Sequence, residues 1–258
     1  MPKLAANLTM MFNEVGFLDR FAAAAKAGFK GVEYLFPYDY DKQVLKQKLA
    51  EHKLTQVLHN LPAGNWAGGE RGIGCHRDRV AEFEAGVDTA IEYATALGCT
   101  QVNCLAGIRP SHHDPSDARE IFIRNLQFAA PRLKAAGIKL LIEAINTRDI
   151  PGFFLTNTAQ AVDIIKAVGS DNLFVQYDIY HMQIMEGDLA PTIEKNLRLI
   201  PHMQLADTPG RHEPGTGEIN YPFLLDFIDR IGYAGWVGCE YKPAGRTEEG
   251  LGWAKPYL

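Results

Sequence analysis

The chain is expected to fold as a single (β/α)8 TIM barrel, and three observations predict it. Its 258 residues suit one α/β barrel, a fold that runs to about 250 residues as one unit. Eight short β-rich runs alternate with amphipathic, Ala/Leu-rich stretches from one end to the other, the pattern of βα units around a parallel sheet. Most of the β-rich runs are apolar without strict alternation, as expected of strands covered on both faces.

The first unit pairs LAAN (4–7) with a helix over 17–27, which Gly28 ends by turning the chain back toward the sheet. The second pairs GVEY (31–34) with 41–52, where Asp41 is the expected N-cap. TQVLH (55–59) and 79–97 form the third, closed by Gly98, and QVNC (101–104) and 117–136 the fourth, opened by Ser116 and closed by Gly137. KLLIE (139–143) leads to 158–168, with Thr158 as the expected N-cap, and LFVQYD (173–178) leads to 188–197. PHMQL (201–205) with 223–231 and WVGCE (236–240) with 248–254 complete the count. No linker, low-complexity tract or charge block divides the chain, so residues 1–258 are expected to be one domain. Two Gly-, Pro- and aromatic-containing segments, 60–78 and 146–157, are too long for simple connections and suit ordered loops over a site.

Composition removes several function classes. At 47% hydrophobic and 22% charged, the chain can bury a large core. A net charge of -5 gives no electrostatic footprint for nucleic acid or an anionic membrane, so a small-molecule partner is the better expectation. Cys75, Cys99, Cys104 and Cys239 form no CxxC pair and read as reduced thiols. No apolar run approaches the ~18 residues of a membrane span, and residues 1–11 lack the features of a secretory signal, so a soluble cytoplasmic protein is expected. Neither GxGxxG nor a P-loop is present, and no organic cofactor is expected. Homo-oligomerisation through barrel helices such as 79–97 is left open.

The informative feature is where polar residues fall. The apolar strands end in Asn7, Glu33, His59 with Asn60, Asn103, Glu143, Asp178, Gln204 and Glu240, and in a closed parallel barrel those ends share one rim, where barrel active sites are built. Asn7, Glu33 and Asn103, each taken alone, read as helix caps or loop anchors. The last four strands each supply an oxygen ligand, at Glu143, Asp178, Gln204 and Glu240. Three carboxylates converging there would repel one another, and a dication relieves that repulsion. Oxygen-only ligation favours a hard ion, Mg2+ or Mn2+. The rival reading is a buried carboxylate network neutralised by Lys242, Arg211 and Arg148.

Other residues are placed by their neighbours. His181, three residues beyond Asp178, is expected to polarise or protonate a substrate oxygen, while His202 reads as a core histidine and His112, His113 and His212 as loop residues. Arg211, with Glu70 and Arg71, lies in loops over the rim and is a candidate for holding an acidic substrate, because arginine grips carboxylates bidentately. For Arg71 a loop-bracing role is an equal alternative. His59 could add a hydrogen bond.

The segments FPYDYD (36–41), HNLPAGNWAGGERGI (59–73), IEAIN, IPGFFLT, QYDIYHMQIMEG (176–187), QLADTPGRHEPGTGEINY (204–221) and GWVGCEYKP (235–243) together carry a resemblance. Over essentially its whole length the chain resembles the hydroxypyruvate isomerase and 2-oxo-tetronate isomerase family, within the xylose-isomerase-like barrel superfamily. The resemblance implies an aldose–ketose type isomerisation of a small hydroxycarbonyl acid through an enediolate. It implies metal ligands at Glu143, Asp178, Gln204 and Glu240, with Glu143 and Glu240 doubling as the proton-transferring pair, and substrate contacts at His181 and Arg211. Related sugar epimerases carry histidine where this chain has Gln204, and the amide hardens the site.

Rival readings remain at this stage: a sugar epimerase of the same superfamily, a Schiff-base aldolase using Lys242, a barrel nuclease, and a sugar-binding barrel without turnover. Lys242, two residues after Glu240, is also a candidate substrate contact.

Overall fold

A computed structural model describes residues 1–110 and 114–258. The loop placement expected of His112 and His113 lies outside the described residues. In chain order the elements are β1 (Lys3–Asn7), α1 (Arg20–Lys26), β2 (Gly31–Glu33), α2 (Lys42–His52), β3 (Thr55–Asn60), α3 (Val80–Leu97), β4 (Gln101–Cys104), α4 (Pro115–Ala135), β5 (Lys139–Glu143), α5 (Thr158–Val168), β6 (Leu173–Asp178), α6 (Ile179–Met185), α7 (Leu189–Asn196), β7 (His202–Leu205), α8 (Tyr221–Arg230) and β8 (Trp236–Cys239). The strands hydrogen-bond in sequence order and β1 pairs with β8, so the sheet is a closed parallel barrel.

Contacts group the chain into two units, Met1–Val57 with Tyr177–Leu258, and Leu58–Gln176. In the first, β1 pairs in parallel with β2 and β8, and β7 with β8, setting Asn7 opposite Glu33 and Gln204 opposite Gly238. In the second, β4 and β5 run parallel to their neighbours, with Asn60 opposite Asn103 and Glu143 opposite Gln176. The strands are buried almost throughout, which is why their sequences carry continuous apolar runs.

Helices cover the sheet with their apolar stripes. On α3 the buried stripe is Phe83, Gly86, Val87, Ala90, Ala94 and Leu97, at the spacing of one helical face. Gly98 ends α3 at φ 66°, a left-handed conformation that costs glycine little. Phe17, Phe21 and Tyr34 pack edge to face beside α1, Phe17 stacks on Tyr40, and burying each such ring contributes roughly 1.5–3 kcal/mol. Among the described residues no helix is long and apolar enough to cross a membrane.

The expected elements are present with four differences. The first expected helix is a 3-10 turn (Phe17–Asp19) followed by α1, and the last is a 3-10 helix (Thr247–Tyr257). An unexpected helix, α6, begins at once after β6. Asp41 caps α2 as expected, through the amides of Gln43 and Val44, but the caps of α4 and α5 are Asp114 and Asn157 rather than Ser116 and Thr158. Pro115 occupies the first turn of α4, so the side chain that accepts the free amide stands before it.

Candidate active site

The passage from β6 to α6 places two side chains at once. Asp178 ends the strand and caps the helix: its Oδ1 accepts from Tyr180 N at 2.8 Å and, more weakly, from His181 N at 3.4 Å. Among the described residues its buried Oδ2 has no hydrogen-bond donor; the neutral His181 Nε2 lies 3.4 Å away and Arg211 Nη2, its ion-pair neighbour, 3.7 Å. One turn of α6 carries His181 back over Asp178, and both are buried.

Arg211 arrives on the loop after β7. Asp207 organises that loop, with Oδ1 accepting from the amides of Thr208 and Ile219 and Oδ2 from those of Gly215 and Gly217, all within 3.1 Å. Arg211 has φ 54°, a strained backbone for a side chain with a Cβ. Its guanidinium lies 5.0 Å over the Tyr180 ring, and Nη2 donates to Glu240 Oε2 at 2.6 Å.

Beneath these groups lies a polar layer. Glu33 Oε1 accepts from Asn7 Nδ2 at 2.9 Å and Gln204 Nε2 at 2.7 Å, and its Oε2 meets His202 Nε2 at 2.7 Å. Asn7 Nδ2 also reaches Glu240 Oε1 at 3.2 Å. His202 is thus a core histidine, as expected. Asn7 makes the loop-anchoring bond expected of it, its Oδ1 accepting from Thr9 N at 3.1 Å, and in addition reaches the candidate ligand Glu240. Glu33, read from the sequence as a cap or anchor, instead holds the candidate ligand Gln204. Asn103 is a second such correction: its Nδ2 donates to Glu143 Oε2 at 2.9 Å and to Asn60 Oδ1 at 3.2 Å.

Burial dominates the electrostatics. It pushes Glu240 up to about 8 and Asp178 up to about 6, although Arg211 beside both draws them down; Asp178 and Glu33 add to the rise at Glu240. The short Arg211–Glu240 contact would by itself predict an ionised Glu240. Removing the carboxylate from water costs more than one partly exposed arginine returns. Burial and then Arg211 hold His181 well below the ordinary imidazole value, which fits Nε2 as the acceptor of the 3.5 Å contact from Arg211.

A dication fits this donor set. Asp178, His181 and Glu240 each offer one ligand atom, and these atoms lie within 4.8 Å of one another. Asp178 Oδ2, buried without a donor, is an acceptor suited to a cation, and carboxylates raised by burial and mutual repulsion are the ones a metal would ionise. His181 adds a nitrogen to a group expected to be oxygen alone.

The remaining candidates divide. His59 is fully buried, with Nδ1 3.1 Å from Asn60 O, and burial lowers it to about 4. Glu70 takes the Asn65 amide and pairs with Arg79, whose Nη1 lies at 2.6 Å. Arg71 donates to the carbonyls of Trp66 and Glu70 and stacks 4.4 Å over Trp66. Both side chains therefore brace their own loop, and the loop-bracing alternative fits Arg71. Lys242 is exposed; its amide donates to Arg211 O, and its carbonyl accepts from the half-buried His212. Arg148 is also exposed, so of the three cations considered as neutralising partners only Arg211 pairs with the carboxylates. A Schiff-base lysine needs desolvation to lower its pKa, which an exposed Lys242 lacks.

Residues 21–257 match the xylose isomerase-like TIM barrel family. Hydroxypyruvate isomerase of Escherichia coli (strain K12) is 53% identical over the whole of both chains. The 2-oxo-tetronate isomerase of Cupriavidus necator is 48% identical over 100% of this chain and 99% of that protein. A crystal structure described as an AP endonuclease, family 2, from Brucella melitensis is 50% identical and superposes with a TM-score of 0.97 over 100% of this chain and 99% of that one. With a closed parallel barrel, a buried cluster of acidic groups at its strand ends and end-to-end identity to isomerases, the chain belongs to the xylose isomerase-like TIM barrel family and is an isomerase.

Proposed function

We propose that this isomerase shifts the carbonyl of a short hydroxycarbonyl acid to the adjacent hydroxyl-bearing carbon, interconverting either hydroxypyruvate with 2-hydroxy-3-oxopropanoate or 2-oxo-tetronate with 3-oxo-tetronate. The observation that carries the reading is the buried group of Asp178, His181 and Glu240, in a chain about half identical to isomerases of both acids. Glu143, Asp178, Gln204 and Glu240 would hold one Mg2+ or Mn2+, which supplies Lewis-acid polarisation of the carbonyl and adjacent hydroxyl. Both dividing lines between the two units run through strands, which supports reading residues 1–258 as one domain.

The chain's own residues account for the rest. One of Glu143 and Glu240 takes the proton from the hydroxyl-bearing carbon, and that carboxylate or the other returns it to the former carbonyl carbon. Arg211 presents a guanidinium fork to an acidic substrate, exchanging its contact with Glu240 for the substrate carboxylate. His181, neutral through burial, keeps Nε2 for a substrate oxygen. No nicotinamide or flavin is needed, since the reaction is internal and redox-neutral.

Glu143→Gln and Glu240→Gln should each stop exchange of the substrate's carbon-bound proton with D2O, followed by NMR in the Mn2+- or Mg2+-loaded protein. Exchange at the wild-type rate in both variants would remove the carboxylates from the reaction.

A further inference from the structure

We infer that Glu33 is a positioning residue that fixes which end of the Gln204 amide faces the metal site. This rests on the metal reading above but assigns a role to a side chain outside the ligand set. Glu33 is 1% exposed and acts through acceptor oxygens only: Oε1 takes Asn7 Nδ2 and Gln204 Nε2, and Oε2 meets His202 Nε2. An amide is nearly symmetric in shape and opposite in polarity at its two ends. With its nitrogen held at 2.7 Å by Glu33, Gln204 has its oxygen as the end to offer a cation. The same carboxylate oxygen orients Asn7, whose Nδ2 reaches Glu240 Oε1, so one buried residue sets two candidate ligands.

The neighbouring strand is shaped for this carboxylate. A Cβ added at Gly238 would lie 2.3 Å from Glu33 Oε1 and 2.4 Å from Oε2, far inside contact distance. Gly238 sits opposite Gln204 in the β7–β8 register and two residues before Glu240, so the missing side chain leaves room for Glu33 within the same layer. His202 and Gln204, two apart on β7, face the same side and both reach Glu33.

The test is Mn2+ affinity of the purified full chain, read from the free-ion signal by electron paramagnetic resonance, with circular dichroism as the folding control. Glu33→Ala removes the acceptor, and its Mn2+ Kd should rise roughly 10–100-fold, the usual effect of losing a partner that orients a ligand. Glu33→Gln keeps an oxygen for the two amides and should bind more tightly than Glu33→Ala. Gly238→Ala, which displaces the carboxylate without deleting it, should weaken Mn2+ as well and serves if Glu33→Ala does not fold. Wild-type affinity in Glu33→Ala or, where that variant is unfolded, in Gly238→Ala would overturn the proposal. So would a Glu33→Gln variant no tighter than a folded Glu33→Ala. If the wild-type chain takes up no Mn2+, the metal reading falls and this proposal with it; binding by the wild type with no effect of the substitutions sinks this proposal alone.

Discussion

Arg211 Nη2 sits 2.6 Å from Glu240 Oε2 and 3.7 Å from Asp178 Oδ2, so one guanidinium occupies the charge position that a dication would share. Arg211→Met removes that competitor. Its Mn2+ affinity without substrate should hold or tighten, while kcat/KM falls at least about 100-fold because the acid is no longer oriented. Titration of the metal beside steady-state kinetics separates the effects; weaker Mn2+ binding would mean the arginine is a prop for the ligands instead.

Metal dependence has a second readout in stability. Mn2+ at about 100 times its Kd should add about 2.7 kcal/mol, which raises the Tm of a chain this size by roughly 5–10 °C. EDTA should remove both the shift and the activity, and Mn2+ or Mg2+ should restore them. A melting curve indifferent to metal and chelator would count against a bound cation.

His59 predicts an acid limb of stability. Burial holds the folded imidazole near 4, against 6.5 for the free side chain. Between those values the unfolded chain binds a proton that the folded chain refuses, so the contribution is complete above about 6.5 and lost as pH falls toward 4. The full swing is on the order of 3 kcal/mol. Urea midpoints from pH 7 to 4 should fall more steeply in wild type than in His59→Gln, and parallel curves would place the titration elsewhere.

Asp207→Ala strips four amides of one shared acceptor. Bonds to a charged group are worth about 1.5–3 kcal/mol each; the part-buried amides of Gly215 and Gly217 recover some of that from water and the buried ones of Thr208 and Ile219 do not, so a loss of about 2–4 kcal/mol is expected. The Arg211 loop should loosen with it, raising KM more than it lowers kcat. Unchanged KM would mean that the loop keeps its shape without the carboxylate.

The barrel was legible because each strand is an apolar run ending in a polar residue, a local signal that survives without coordinates. Glu143, Asp178 and Glu240 stood out for the same reason, and the structure brings Asp178 and Glu240 together with His181. The layer beneath was not legible. Asn7, Glu33 and Asn103 look like ordinary strand-end polar residues, and only register shows Glu33 reaching from β2 to Gln204 on β7. The helix α6 was missed because IYHMQIM follows Asp178 with no turn residue between, so strand end and helix cap are one residue. Glu70 and Arg71 misled for the opposite reason: charge in a glycine-rich loop resembles a binding group, yet both are engaged by their own segment.

Asp178 carries two obligations on separate oxygens, one starting a helix and one turned toward His181 and Arg211. Glutamate would disturb both duties together and asparagine would keep the cap but lose the charge, so selection has little freedom at this position.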